Sequence, residues 1–494
     1  MNSRGIDRPL LVGYSLFDDK NDLTKRSLVV SICDNGIGCK VIAGEIRVKV
    51  DKSHPLVLLA LALPWRVMYD LILDDLKTWK PGLKWWLGRK LRVRIHLGAY
   101  ILQKMYDLTD RKMEYELKDN AAYQLFCGKG VVDNWHAPDH TKLEEFRNRL
   151  KPETQRKLAN LIASNAVDLG VADASQLDID STIQEANMTY PTDSKMLRKL
   201  GTITAKVANA IKELAPEKYS GLLVDLKEIA SKARNCFFQK KYATTEEKSS
   251  HLRELWNCVR KPTLEVIHVC RELGVDQLRK LKWNIFLSVE QLLNHGEEYL
   301  EASNQFIETG KCQDSKRYSF HLDDVDCFNK GKAHKKYEFG RTFQLGRIGG
   351  NFIIVSECTT TRMDDKKSVV PMLDEHEDLF GKDVLKSLAT DKGYYSRKNI
   401  KAAKKKGIDQ VGIQAPCNIK NNVVNLSIEE EEELYNRRAG IEPLIGHAKQ
   451  GGQLGRSRMK NDESIKSSGY ASVMGFNLRQ TVRAVKVKTQ KKAA

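Results

Sequence analysis

VLKSLATDKGYYSRKNIKAAKKKGIDQVGIQ, residues 384–414, holds the pattern on which the fold turns. Val384–Thr390 reads as a strand that ends at an acid, Asp391, and Gly393 permits a sharp exit from it. Ser396 is placed to cap a helix and Gly407 to stop it, after which Gln410–Gln414 reads as a second strand. Strand, helix and strand in that order mark an α/β layer. Working upstream, Glu338–Gly346 and Asn351–Cys358 are β-rich and joined through Ile348-Gly349-Gly350-Asn351, a hairpin signal, with a mixed helical segment running on to Leu379. Further back, QLDIDSTI (176–183) reads as a buried strand in which Asp178 and Asp180 share one face, because strand side chains alternate. Two carboxylates on one face of a strand are costly unless something positive sits there.

Between that strand and the hairpin, residues 195–310 are almost wholly helical in pattern. Met196, Leu200, Ile203, Val207, Ala210 and Leu214 trace one face before Pro216 breaks the helix, and similar spacing returns in Leu252–Leu273 and Leu281–Ile307. Removing this insert leaves strand, strand, strand, helix, strand, helix, strand, helix, the element order of a ribonuclease H-like α/β domain. The expected fold class is therefore α/β: a ribonuclease H-like catalytic domain (172–194 and 316–480), interrupted by an all-helical insertion (195–315) and preceded by a helical N-terminal domain (51–150). In that last domain Leu97, Ile101, Met105 and Leu108, then Met113, Leu117, Ala121 and Leu125, keep helical spacing on either side of Asp107–Asp110, which offers capping side chains. Two short helices and a tight turn suit a helix-turn-helix DNA reader, and equally any small helical bundle. Residues 1–50 carry only a β-like alternation at Glu45–Val50 and are unassigned; 481–494 reads as a flexible basic tail.

At 494 residues the chain exceeds one core. Its 82 Lys and Arg against 64 Asp and Glu leave a formal charge of +18, which favours a polyanionic partner. The ten Cys form no CxxC pair, and Cys33 and Cys39 lack zinc-site spacing, so they read as reduced thiols in a cytoplasmic protein. Pro55–Pro64, the longest apolar run, is about half of a bilayer span, and no charged-then-apolar signal opens the chain; neither a membrane nor a secreted protein is expected.

Three acids fall where such a fold would gather them: Asp180 on the first strand, Asp391 at the end of a later one and Glu442 in the final helical region. Carboxylates meeting in one pocket repel, and hard cations such as Mg²⁺ relieve the repulsion. Two ions about 4 Å apart can serve the attacking and leaving oxygens of an in-line displacement at phosphorus. In YNRRAGIEPLIGHAK (435–449), Tyr435, Arg438, Glu442 and Lys449 follow at intervals of three, four and seven, placing them within about 60° of arc on an unbroken helix. That face would set a metal ligand between a forked cation, a point-charge cation and a phenol. Gly440 and Pro443 oppose an unbroken helix; a kink, or a new helix with Pro443 in its first turn, is the expected compromise.

This segment is a complete match to the Y-x2-R-x3-E-x6-K signature, and the chain resembles the DDE transposases of bacterial insertion sequences. Further likeness lies in Asp180-Ser-Thr182 with Tyr190-Pro-Thr-Asp193, Lys330-Gly-Lys332, Tyr337-Glu-Phe-Gly340, Asp391-Lys-Gly-Tyr394 and Gly475-Phe-Asn-Leu478, over about residues 50–480 in the family's order. The resemblance implies that Asp180, Asp391 and Glu442 are the catalytic, metal-holding triad, with two Mg²⁺ for which Mn²⁺ can substitute. It implies that Tyr435, Arg438 and Lys449 support DNA, and that the N-terminal helices recognise terminal inverted repeats. It further implies a homodimer pairing two DNA ends, in a nucleoid-associated, cytoplasmic setting. Asp178 stays open as an alternative first ligand or as a group behind one. Trp256 and Trp283 of the insert read as core residues, and neither His321 with Asp323 and Asp324 nor His334 has metal-ligand spacing; Lys330, Lys332, Lys335 and Lys336 suit phosphates better. Two rival readings are a nuclease that cuts without joining and a transposase-derived DNA-binding protein that no longer catalyses.

Overall fold

The computed structural model describes residues 31–33, 38–42, 45–78, 93–128, 137–238, 244–312, 316–329, 336–358, 361–416 and 426–493. Lys330, Lys332, His334 and Lys335 lie outside the described residues, as do 1–30 of the unassigned leader. The chain divides into two compact units, one of residues 1–185, 341–459 and 463–494, the other of 186–340 and 460–462.

The first unit opens with a small sheet in which β3 (Glu45–Asp51) lies between β1 (Ser31–Cys33), parallel to it, and β2 (Gly38–Ile42), antiparallel. Seven helices follow: α1 (Pro55–Ala62), α2 (Trp65–Thr78), α3 (Val93–Met105), α4 (Asp110–Asp119), α5 (Ala121–Phe126), α6 (His140–Arg149) and α7 (Pro152–Asp168). Among the described residues no single helix is long and apolar enough to cross a membrane; α1 and α2 together have the length, but they bend by 72° at their junction and send Leu59, Met68 and Ile72 into the core. Thr109 caps α4 from within the Asp107–Asp110 break. α3 is buried round nearly its whole circumference, whereas α4 turns only Met113 and Leu117 inward.

β4 (Asp173–Glu185) is the centre of the main sheet, whose order is β7-β6-β4-β8-β9. β8 (Ser387–Thr390) and β9 (Gln410–Ile413) run parallel to β4, and β6 (Tyr337–Gly349) and β7 (Phe352–Val355) form an antiparallel hairpin. Gly350 (φ +82°) and Asn351 (φ +64°) supply the two left-handed positions that such a turn needs. A Cβ on Gly350 would also meet the Val171 carbonyl at 2.5 Å. β8 begins three residues later than the sequence pattern suggested, because Gly381 and Asp383 both take positive φ and the chain is still turning there.

Leu177 and Ile179 put one face of β4 into a core with Val369, Met372 and Leu373 of α13 (Asp365–Phe380); Ile400 and Ala403 of α14 (Arg397–Lys405) join them. His376 of α13 is fully buried, and its Nε2–H donates to the Ala174 carbonyl at 2.8 Å. Burial pulls its pKa down to about 4 from the usual 6.5. A depressed histidine stabilises fully above pH 6.5 and loses that contribution as the pH falls toward 4, up to about 3 kcal/mol. Urea unfolding of wild type and His376→Gln between pH 7 and 4.5 should therefore converge as the pH drops; a gap that stays constant would contradict this account.

The opposite core is shared. Residues of α1–α7 pack with Phe343, Leu345, Ile353 and Val355 of the hairpin and with α16 (Ile441–Gln450) and α17 (Asp462–Ala493). β7 is an edge strand, and its outward backbone groups are satisfied by two buried asparagines. Asn160 of α7 accepts from Val355 N at 2.8 Å and donates to Val355 O at 2.9 Å. Asn477 of α17 does the same for Ile353, at 3.0 and 2.7 Å. This gives Gly475-Phe-Asn-Leu478 a structural reading: Asn477 closes the sheet edge, and Gly475 lets α17 touch α3, since a Cβ there would stand 2.2 Å from the Lys104 carbonyl. The basic tail is helical through 481–493. It continues α17, with Val482 and Ala484 against the two cores and Lys488 Nζ donating to Leu169 O at 2.6 Å.

The second unit holds α8 (Asp193–Leu214), α9 (Pro216–Tyr219), α10 (Leu226–Phe238), α11 (Thr245–Leu278, bent at Gly274) and α12 (Trp283–Thr309) around their own core. It also holds β5 (Asp326–Asn329), paired with Tyr337–Gly340 of β6, which the sequence pattern did not reveal. Trp256 is a core residue as expected, its indole N–H bonded to Leu300 O at 2.8 Å. Trp283 is not: it is 70% exposed and stacks on Phe286, because it stands first in α12, before the apolar stripe turns inward. His321 is engaged by Ser319 and Lys199, and Asp323 by Arg317.

Candidate active site

The face of β4 opposite Leu177 and Ile179 carries Asp178 and Asp180 toward α15 (Ile428–Ala439) and α16. The positive charge that the pattern demanded is there. Asp178, 2% exposed, receives Arg437 Nε at 2.8 Å and Arg347 Nη1 at 3.4 Å. Arg437 also donates to Ser387 Oγ on β8, and Arg347 to the Arg437 carbonyl at 2.7 Å. Burial pushes the Asp178 carboxyl up, and Arg437 and Arg347 pull against it. Its carboxylate is thus committed to a structural clamp between β4, β6 and α15.

Asp180, two residues on, meets a different cation. Arg438 Nη2 lies 3.2 Å from Asp180 Oδ2 and 3.8 Å from Asp391 Oδ2, while its Nη1 lies 3.1 Å from Glu442 Oε1. Because one nitrogen touches both, the Asp180 and Asp391 oxygens stand within about 7 Å of each other. Burial raises the Asp180 carboxyl, and Asp391 and Glu442 add to the rise, against the Ser181 N–H and Arg438. Among the described residues no three His, Cys, Asp or Glu side chains are yet close enough to share one metal ion; the three carboxylates are spread around the guanidinium.

Local structure explains each placement. Asp391 follows β8 and caps a single 3-10 turn, Lys392–Tyr394, by accepting from Gly393 N. Gly393 is not in the left-handed region; a Cβ there would press to 3.1 Å on the Asp391 carboxylate instead. Glu442 is in the first turn of α16, where an acid suits the helix dipole, and Pro443 costs nothing so early. The helix does break, at Gly440, and a side chain there would crowd the Arg347 guanidinium, since a Cβ would fall 2.4 Å from its Nη1. The break is slight enough to keep Arg438 and Glu442 in i,i+4 contact. Tyr435, 53% exposed, precedes Arg438 on α15, and Lys449 is half-buried in the last turn of α16. Sequence reasoning missed Arg347, Arg437 and Asp365. Asp365 receives Gln344 Nε2 at 3.2 Å and approaches Gly393, beside the buried Tyr394. Only Arg437, adjacent to the signature arginine, offered a signal.

Two family models match this chain, a transposase domain (DUF772) over residues 44–149 and a transposase DDE domain over 309–478. The chain belongs to the DDE transposases of insertion sequences. In general character the transposase has the mixed, ribonuclease H-like fold of that domain behind a helical N-terminal region. A curated relative, the uncharacterized protein ORF8 in the nfe locus of Rhizobium meliloti, is 26% identical over 109 residues, or 22% of this transposase and 53% of the relative. The chain thus spans about half the length of the curated relative it matches. No solved structure matches it.

Proposed function

We propose that this transposase binds the terminal inverted repeats of its insertion sequence, cleaves DNA there and joins the freed 3′ ends to target DNA by two-metal phosphoryl transfer. One observation carries the reading: Asp180, Asp391 and Glu442, from a strand, a strand end and a helix start, converge on a single cation. Repelling acids gathered about a largely buried Asp180 are expensive unless chemistry requires them.

The donor set fits Mg²⁺, or Mn²⁺ in its place, since it consists of hard carboxylate oxygens already grouped about positive charge. Asp180, Asp391 and Glu442 are the residues that would hold them. When bound, the ions supply charge stabilisation to the attacking and leaving oxygens. The protein's own residues do the rest. Arg438, Lys449 and Tyr435 would hold phosphates of the DNA end, so that a water oxygen lies in line with the scissile P–O3′ bond. The water gives up a proton as its oxygen bonds phosphorus, and the departing O3′ takes one up to become a hydroxyl. In the joining step that hydroxyl attacks a target phosphodiester, and the target's own O3′ leaves.

In this reading 172–194 with 316–480 form the catalytic domain, 195–315 an insertion that shapes the bound end, and 51–150 the part that reads the repeats. There the free face of α4, not the enclosed α3, would meet DNA. Two copies pair two ends in the synaptic complex, in the bacterial cytoplasm at the nucleoid.

A labelled duplex bearing one end of the element, incubated with the protein, Mg²⁺ and target plasmid, should yield both nicked ends and ends covalently joined to plasmid. Cleavage without joined product would favour a nuclease, and binding without either would favour a DNA-binding protein.

A further inference from the structure

We propose that Arg438 is an internal counter-ion that holds the acidic centre together before divalent cations arrive, and that metal binding must displace it. The proposal rests on the reading of Asp180, Asp391 and Glu442 as metal ligands. Three negative charges gathered about one guanidinium repel in a partly buried setting. The Arg438 guanidinium contacts all three at 3.1–3.8 Å, and its side chain is only 13% exposed. The neighbouring arginines Arg437 and Arg347 are spent on Asp178.

The same geometry makes the guanidinium an obstacle. A Mg²⁺ or Mn²⁺ shell needs carboxylate oxygens at about 2 Å from the ion, and the planar fork stands between them as a spacer. Two divalent ions also over-neutralise three carboxylates, so Arg438 would then be held beside like charge. Exchange is the outcome of both effects. Glu442, 62% exposed at the start of α16, is free to follow the ions, and Arg438 is released toward the phosphates they bind. Arg438 is therefore a positioning residue before it is a DNA ligand: it keeps the ligands gathered but raises the concentration of metal needed to load them.

Mn²⁺ titrations of the full chain without DNA, followed by calorimetry, test this. Arg438→Gln should bind Mn²⁺ about tenfold more tightly than wild type, and its thermal midpoint without metal should be lower yet rise further on adding Mn²⁺. Arg438→Lys, a shorter cation lacking the fork, should fall between the two, and it carries the test if the Gln variant does not fold. Equal or weaker Mn²⁺ binding by Arg438→Gln, with binding lost in Asp180→Asn, overturns the counter-ion and spares the metal site. No Mn²⁺ binding by wild type and Arg438→Gln alike overturns both.

Discussion

Asp180→Asn, Asp391→Asn and Glu442→Gln should each reduce strand cleavage by at least about 10³-fold while leaving affinity for an end duplex within about threefold. The asymmetry follows from where the groups sit. An amide is nearly isosteric with a carboxylate, so the contact with Arg438 persists as a weaker hydrogen bond and the fold is kept. What is lost is the charge that hard cations require. On the proposed reading the three acids act as one unit, so a double variant should be no worse than the poorest single one. Any single variant that cuts at the wild-type rate in Mg²⁺ would remove that residue from the triad. The Asp178→Asn variant supplies the contrast. Its carboxylate faces Arg437 and Arg347 rather than Arg438, so its loss should be felt in stability before cleavage.

The largest effect on stability is expected from Arg437→Met, at about 3 kcal/mol. Methionine fills much of the volume of the arginine stem, but it leaves a carboxylate 2% exposed with a single partner, Arg347, at 3.4 Å. It also removes the tie to Ser387 that fixes α15 against β8. Removing both charges, as Asp178→Leu with Arg437→Met, should recover most of the loss, since a buried pair is worth little over a well-packed apolar one. Urea unfolding of the two single variants and the double one measures the cycle. An Arg437→Met protein within 1 kcal/mol of wild type, or a double variant no better than the single, would show the clamp to be dispensable.

Much of this arrangement was legible in the linear chain. Strand period and punctuation located β4, the β6–β7 hairpin and the β8-α14-β9 unit, because glycines and serine caps mark their ends locally. The burden of two acids on one strand face foretold a nearby cation but not its identity, since Arg347 and Arg437 are 169 and 259 residues away from Asp178. Periodicity states which face of a helix is apolar and not what covers it. It therefore could not show that α1–α7 share one core with the sheet and α17 rather than standing apart. Trp283 was misread for a related reason: an aromatic at the edge of an apolar stripe looks the same in sequence whether the helix has begun or not. The tail was read by its charge, and the two small apolar residues that dock it were outweighed.

The asparagine closure of β7 bears on what an incomplete polypeptide would do. A product of premature termination upstream of Asn477 leaves the Ile353 amide and carbonyl bare on Phe352-Ile-Ile-Val355, a run without charge or proline. Such a strand is a template for pairing with another of its kind. Chains that end before Asn477 should therefore self-associate through this strand more readily than the full chain, which aggregation measurements on a truncated variant would check.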